Sequence, residues 1–329
     1  MKAPPILSVS DLTVKAGEIP IIENVDIDVG KGEIVALVGE SGSGKSMTAL
    51  SVMGLHAGSL RVVDGSIKLL GEAIENASPT VMNRIRGAQM SMIFQEPVAS
   101  LNPLMRVGDQ VSESLIVHGK ASGKTAWNLA VEMLKDVGIP DPEKRATQFP
   151  FELSGGMCQR VMIASALIAE PRLLIADEPT TALDVTIQIQ ILELMRDLRK
   201  KVGTSILLIT HDLGVVAAVA DRVCVMYGGR IVEKASVKDL FSAPAHPYTR
   251  MLLETIPRLE SERKKPLYSI PGSVPDIRAW PEGCRFRTRC PIADGSCHTT
   301  PLLRRTKTAK RDGHLAACWH SDHVPELMK

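Results

Sequence analysis

Aromatic side chains are scarce in this chain: five Phe, three Tyr and three Trp in 329 residues, with none before Phe94. No apolar run approaches the ~20 residues needed to cross a bilayer, and the start, Met1-Lys2-Ala3-Pro4-Pro5, has no secretory apolar core. A chain that stays in the cytoplasm is expected. Net charge is only +2 and no long basic run occurs, so nothing at whole-chain level favours nucleic acid as a partner. Six cysteines in a reducing compartment do not make a disulfide framework, yet four of them gather near the end and need another explanation.

What is present divides in two. From Pro257 onward there are 14 Lys/Arg against 8 Asp/Glu, whereas the first 256 residues carry four more acidic than basic side chains. The tail also holds eight prolines, which punctuate helices and favour short irregular elements. One large domain over 1–256 and a small one over 257–329 follow.

Within the large domain, Ile34-Val35-Ala36-Leu37-Val38 reads as a strand buried on both faces that stops at Gly39. A helix from Ser46 to Leu55 follows the stretch Gly39-x4-Gly44-Lys45-Ser46. With Gly39, Gly42 and Gly44 the backbone can turn its amides inward, beside the Ser41 position, to surround β- and γ-phosphates at a helix N-terminus. Lys45 adds a point charge and the Ser46 hydroxyl is placed for Mg²⁺. A second buried strand, Leu173 to Asp177, ends in a carboxylate pair. Asp177 suits the Mg²⁺ shell, and Glu178 can take a proton from an attacking water. A third strand, Ser205 to Thr210, ends on His211, and ligands of open parallel sheets bind beyond such strand ends. Gln95 follows the apolar stretch Met90–Phe94, where its amide can reach metal or water. Ser154-Gly155-Gly156 precedes a helical pattern from Gln159 to about Ala169, an N-terminus suited to anions.

Together these motifs resemble the ATP-binding subunit of an ATP-binding cassette (ABC) transporter. Gly39–Ser46 is similar to its Walker A, Gln95 to its Q-loop, Leu153–Gly156 to its signature, Leu173–Glu178 to its Walker B, Ala182–Asp184 to its D-loop and His211 to its switch histidine. The resemblance implies an α/β, ABC-type P-loop ATPase domain with a RecA-like core, an antiparallel β subdomain and a helical subdomain at about 97–165. It further implies head-to-tail ATPase pairs in which one signature closes on the other subunit's ATP. Glu178 would be the base, His211 would contact the γ-phosphate, and Ser46, Gln95 and Asp177 would hold Mg²⁺. Gln95 would also link the site to the permease. The family's usual adenine-stacking aromatic has no counterpart near Ala16.

The runs Ser91–Pro97 with Ser100-Leu101-Asn102-Pro103, Asp177–Thr186 and His246-Pro247-Tyr248-Thr249 resemble the oligopeptide/dipeptide/nickel importer ATPases more narrowly. Within that group, Gly39–Ser46 followed by Met53-Gly54-Leu55 resembles the first of two paralogous ATPase subunits. Implied partners are a sister ATPase, two transmembrane permeases and, through them, an external solute-binding protein, with this chain peripheral at the cytoplasmic face of the inner membrane. Peptide is the expected cargo, and nickel or another small solute is the alternative. A DNA-maintenance ATPase would need a long coiled-coil insertion, but Gln95 and Ser154 are separated by only 58 residues without sustained heptads.

In the tail, Cys284-x5-Cys290-x6-Cys297-x20-Cys318 is spaced unlike common zinc modules or the compact ferredoxin run, so spacing leaves the metal open. The resemblance to importer ATPase tails implies a [4Fe–4S] cluster, with Zn²⁺ as the alternative. Arg285, Arg287 and Arg289 are candidates to offset its charge, and His298, His314 and His320 are candidate substitute ligands.

Overall fold

The computed structural model describes residues 4–56, 58–180, 185–256, 268–307 and 313–328. Contacts divide the chain into two compact units, each assembled from separated stretches. The boundary expected at Pro257 falls among residues 257–267, outside the described residues.

The first unit comprises residues 1–7, 29–33 and 68–209. Its strands Met90–Ile93, Leu173–Asp177 and Ser205–Thr210 run parallel in that order, with Ile93 opposite Ala176 and Asp177 opposite Ile209. All residues of these strands are buried, which is why they read as unbroken apolar runs rather than alternating ones. Between the first two strands lie the helices Pro97–Ser100, Val107–Val117, Gly123–Asp136, Pro142–Ala146 and Gly155–Leu167. They fill the interval expected to be a helical subdomain. The long helix Val185–Val202 follows the carboxylate-bearing strand.

The second unit comprises residues 8–28, 34–67 and 210–329. Strands of its N-terminal part lie in the order Ile19–Val29, Leu7–Ala16, Leu60–Leu69. Ile34–Val38 pairs in parallel with Arg222–Tyr227, which pairs antiparallel with Arg230–Ser236. The tail then extends this sheet: Leu315–Ala316 adds to Arg230–Ser236, and Arg304–Arg305 adds to Leu315–Ala316. A buried aromatic cluster joins Tyr227, Tyr248 and Phe286, whose ring centroids lie 4.7 to 5.3 Å apart. Phe286 is a tail residue, so the cysteine-bearing segment shares a core with the strand before the phosphate loop.

Two buried polar groups hold that junction. Glu233, fully buried, accepts from the Ala245 and His246 N–H groups at 2.8 and 2.9 Å, and its carboxylate lies 2.7 Å from His314 Nε2. Buried carboxylates are tolerated when their oxygens are satisfied in this way. His314, a candidate metal ligand from its place in the sequence, is instead committed to Glu233. His246 accepts from the Tyr248 N–H at 3.1 Å, capping the helix Pro247–Glu254, and burial lowers its pKa to about 3.

Candidate functional site

In the first unit the carboxylate pair sits at the end of strand Leu173–Asp177. Asp177 is buried, while Glu178 leaves the strand in the left-handed region at φ 47° and donates its N–H to Ile209 O at 2.9 Å. Non-glycine residues at positive φ are uncommon and cost local strain, which the neighbouring strand's hydrogen bond helps to offset. The turn aims Glu178 at the end of the adjacent strand, where the Gln95 amide donates to its carboxylate at 3.3 Å. Residues 83 positions apart in the chain are thus brought together because Ile93 and Ala176 are in register.

The helix Gly155–Leu167 opens on Ser154, whose hydroxyl accepts from the Met157 N–H at 3.3 Å. A Cβ built on Gly155 would meet nothing within 4 Å, so this helix start is open to an approaching anion. Gln159 anchors the helix from behind: 1 % exposed, it donates to Pro179 O at 2.5 Å, one residue past Glu178. The sequence offers no distinctive signal for that tie. Cys158 is buried with its thiol 3.4 Å from Pro150 O, and burial raises its pKa. It is a core side chain. Asp184, with the rest of Ala182–Asp184, lies outside the described residues.

In the second unit the phosphate loop is a close-fitted turn. Gly39 has φ 156°, and a Cβ there would lie 2.2 Å from Met226 O; Gly44 has φ 103° and would strike Ile22 and Met226 side chains at 2.7 and 2.8 Å. These two glycines are required by both backbone and space. Ser41 and Gly42 are exposed on the turn and Ser46 is half-buried in the first turn of helix Lys45–Val52. Lys45, 5 % exposed, arches over the loop and donates to Gly39 O at 2.8 Å and Glu40 O at 3.0 Å. His211 is exposed between strand Ser205–Thr210 and the helix Leu213–Val219, which Asp212 caps through the Gly214 and Val215 N–H groups.

In the tail, three of the four thiols are shifted upward in pKa, chiefly by burial. Burial pushes Cys318 up to about 12 and Cys290 up to about 11, with smaller contributions from neighbouring thiols, and it also raises Cys284. The side-chain ligand atoms of Asp294, Cys297 and His320 lie within 4.8 Å of one another. The His320 backbone N–H donates to Cys318 Sγ at 3.4 Å. The arginines are used differently from the sequence expectation. Arg289 binds Glu40, Arg285 binds Glu23 and Gly228 O, and Arg287 binds Glu282 O. Arg230 is the cation whose charge reaches Cys284.

A chain with this phosphate loop, carboxylate pair and capped glycine helix is of the ABC ATPase class. The family description "ABC transporter" matches residues 22–181, and "Oligopeptide/dipeptide transporter, C-terminal region" matches 232–297. The chain is 54% identical over 298 residues to the oligopeptide transport ATP-binding protein AppD of Bacillus subtilis, covering 90% of each. It is 48% identical over 326 residues to the dipeptide transport ATP-binding protein DppD of the same organism, covering 98% of this chain and 96% of the relative. A solved dimeric ATP-binding cassette in a post-hydrolysis state, bound to ADP and Pi, superposes with TM-score 0.63 at 28% identity, covering 70% of this chain and 98% of that one. The chain belongs to the ATP-binding subunits of ABC transporters, in the oligopeptide/dipeptide group.

Proposed function

We propose that this chain hydrolyses ATP to power import of peptides through two permease subunits, supplied by an external binding protein. The observation that carries the ATPase reading is the meeting of Gln95 and Glu178 directly after buried Asp177. It supports reading Glu178 as the proton acceptor, Gln95 as the amide that orients it and Asp177 as a metal-binding carboxylate, at the strand ends of a parallel sheet. The peptide cargo rests on relatives over nearly the whole chain that are named for oligopeptide and dipeptide transport.

The roles follow residue by residue. Gly39, Ser41, Gly42, Gly44 and Lys45 bind the β- and γ-phosphates. Ser46 in the second unit and Gln95 and Asp177 in the first are each oxygen donors of the kind Mg²⁺ takes; bound Mg²⁺ would supply charge neutralisation on those phosphates. Glu178 accepts the proton of the attacking water, and His211 contacts the γ-phosphate. Ser154, Gly155 and Gly156 present a helix N-terminus to the nucleotide of a sister ATPase; Asp184, outside the described residues, takes its role at the pair interface from the D-loop resemblance alone. No helix among the described residues is long and apolar enough to cross a membrane. Attachment at the cytoplasmic face of the membrane through the permeases belongs to the same proposal and rests on the relatives named as transport ATP-binding proteins. Val98, Leu104 and Phe151 expose 57%, 86% and 72% of their surface in the helical stretch, apolar side chains available to a permease helix.

The four soft thiols Cys284, Cys290, Cys297 and Cys318, two buried and two half-buried, are the candidate ligands of a [4Fe–4S] cluster, with Zn²⁺ as the competing occupant. This rests on thiolate chemistry and on the resemblance of the tail, since among the described residues the one group of three or more such side chains with ligand atoms within 4.8 Å of one another is Asp294, Cys297 and His320. Bound metal would staple an otherwise short-stranded tail. Iron, sulfide and zinc analysis of the purified full chain separates the two. Uptake of labelled dipeptide and labelled nickel by cells whose only copy is Glu178→Gln tests the cargo: loss of dipeptide uptake alone supports peptide import, and loss of nickel uptake alone replaces it.

A further inference from the structure

Glu40, the first residue after Gly39 in the phosphate loop, is held at all three of its polar groups, and two of the holders come from outside the ATP-binding motifs. Its N–H donates to the Tyr248 hydroxyl at 2.8 Å, and its C=O accepts from Lys45 Nζ at 3.0 Å. Its carboxylate accepts from both Arg289 Nη groups, at 2.7 and 3.0 Å. The Arg289 side chain is 4 % exposed, and its guanidinium also lies over the Tyr227 ring, 5.8 Å from the centroid. Such two-pronged, sheltered guanidinium–carboxylate pairs fix orientation as well as charge.

A second tie reaches the far side of the same loop. Arg285, 7 % exposed, donates to Gly228 O, and the next residue, Gly229, donates its N–H to Ser43 O at 2.9 Å. Gly229 has φ 77° with Ile21 O 2.3 Å from where a Cβ would lie, so this contact has no slack.

We propose that Arg289 is a positioning residue for nucleotide binding: with Arg285 behind it, the cysteine-bearing tail braces the phosphate loop and sets where Lys45 meets the phosphates. The inference deepens the ATPase reading and rests on it. The loop closes at Gly39 against Met226 O with no free space, and Lys45 donates to the carbonyl of the residue Arg289 grips. Freeing the Glu40 carboxylate lets the loop and its lysine spread over more arrangements, which weakens ground-state binding without altering the water-activating carboxylate in the other unit. Arg285 follows Cys284 and Arg289 precedes Cys290, so the brace is built from the segment between two candidate ligands.

The test uses the full chain for MgATP titration and the assembled transporter for kinetics. Arg289→Met is expected to raise the MgATP Kd and the KM about tenfold, the order expected for losing a charge-assisted pair, with kcat at saturating ATP within about twofold. Arg289→Lys should recover part of the affinity, and Arg289→Met with Glu40→Met should be no worse than either alone. A native Kd for a folded Arg289→Met chain, or a fall in kcat at unchanged KM, overturns the brace while leaving the ATPase reading intact. If Arg289→Met does not fold, Arg289→Lys and Glu40→Gln decide, and native Kd in both overturns it. A native chain that binds no MgATP overturns both readings together.

Discussion

The two units hold their candidate functional residues by different means. In the first, Asp177, Glu178 and Gln95 are positioned by strands whose register brings their ends together, and each residue follows or closes a buried apolar strand. In the second, the phosphate loop takes its shape from local glycines but is held in place from a distance. Tyr248 and Arg289 stand 208 and 249 residues from Glu40, which both of them bind, and Gly229 holds Ser43 from the turn after strand Arg222–Tyr227. A site element at a strand end needs only its strand. A free-standing loop needs supports from elsewhere in the chain.

The sharpest way to separate the two is Glu178→Gln. Assembled transporter carrying it should bind ATP normally and lose turnover by about 10²–10⁴-fold, the range for a positioned base. Steady hydrolysis near the native rate would remove Glu178 from that role. Glu233→Ala probes the long-range supports instead. It strips a buried carboxylate from two N–H donors and His314 and should lower stability by about 3–5 kcal/mol in urea denaturation. A loss under about 1 kcal/mol, the net worth of an ordinary hydrogen bond, would show that the tail strands add little to the second unit.

His246 gives a pH-dependent version of the same contrast. Its folded pKa of about 3 lies below the usual 6.5, because burial disfavours the cation, so the unfolded chain binds more protons between those values. Stability contributed by the neutral ring is complete above pH 6.5 and falls as pH drops toward 3, by at most about 1.4 kcal/mol per pH unit. His246→Asn, which keeps an acceptor for the Tyr248 N–H, should flatten this slope in acid denaturation. An unchanged slope would assign the acid sensitivity to other groups. Smallest is Ser154→Ala, which removes the cap on Met157 and should cost about 1 kcal/mol of stability, read by thermal denaturation. Because Ser154 also faces the sister nucleotide in the proposed function, a larger fall in turnover than in stability would favour its contact role over its capping role.

Much of the architecture follows from local pattern. The strands Ile34–Val38, Leu173–Asp177 and Ser205–Thr210 end where their apolar runs end, and the helix after the phosphate loop starts at Lys45, one residue before the expected Ser46. The helix at the signature begins at Gly155 rather than Gln159, because Ser154 caps it through Met157. Glycine at these N-terminal positions is poor helix-forming sequence, which hides the true start. The arginines of the tail mislead for a related reason. Their proximity to cysteines in sequence suggests charge neutralisation, but Arg285 and Arg289 are committed to Glu23 and Glu40. Nothing in local sequence distinguishes these partners.

Residue type and short spacing are enough to state the chemistry: a phosphate loop whose glycines at 39 and 44 admit no Cβ, a carboxylate pair after a fully buried strand, and four thiols in a tail poor in apolar pattern. Which groups meet is settled only when the chain packs. Gln95 reaches Glu178 through strand register, His314 leaves the thiols for Glu233, and Arg289 grips Glu40. Pairings of this kind are selected by packing and by the cost of leaving a buried charge without a partner, and neither is written in the neighbouring residues.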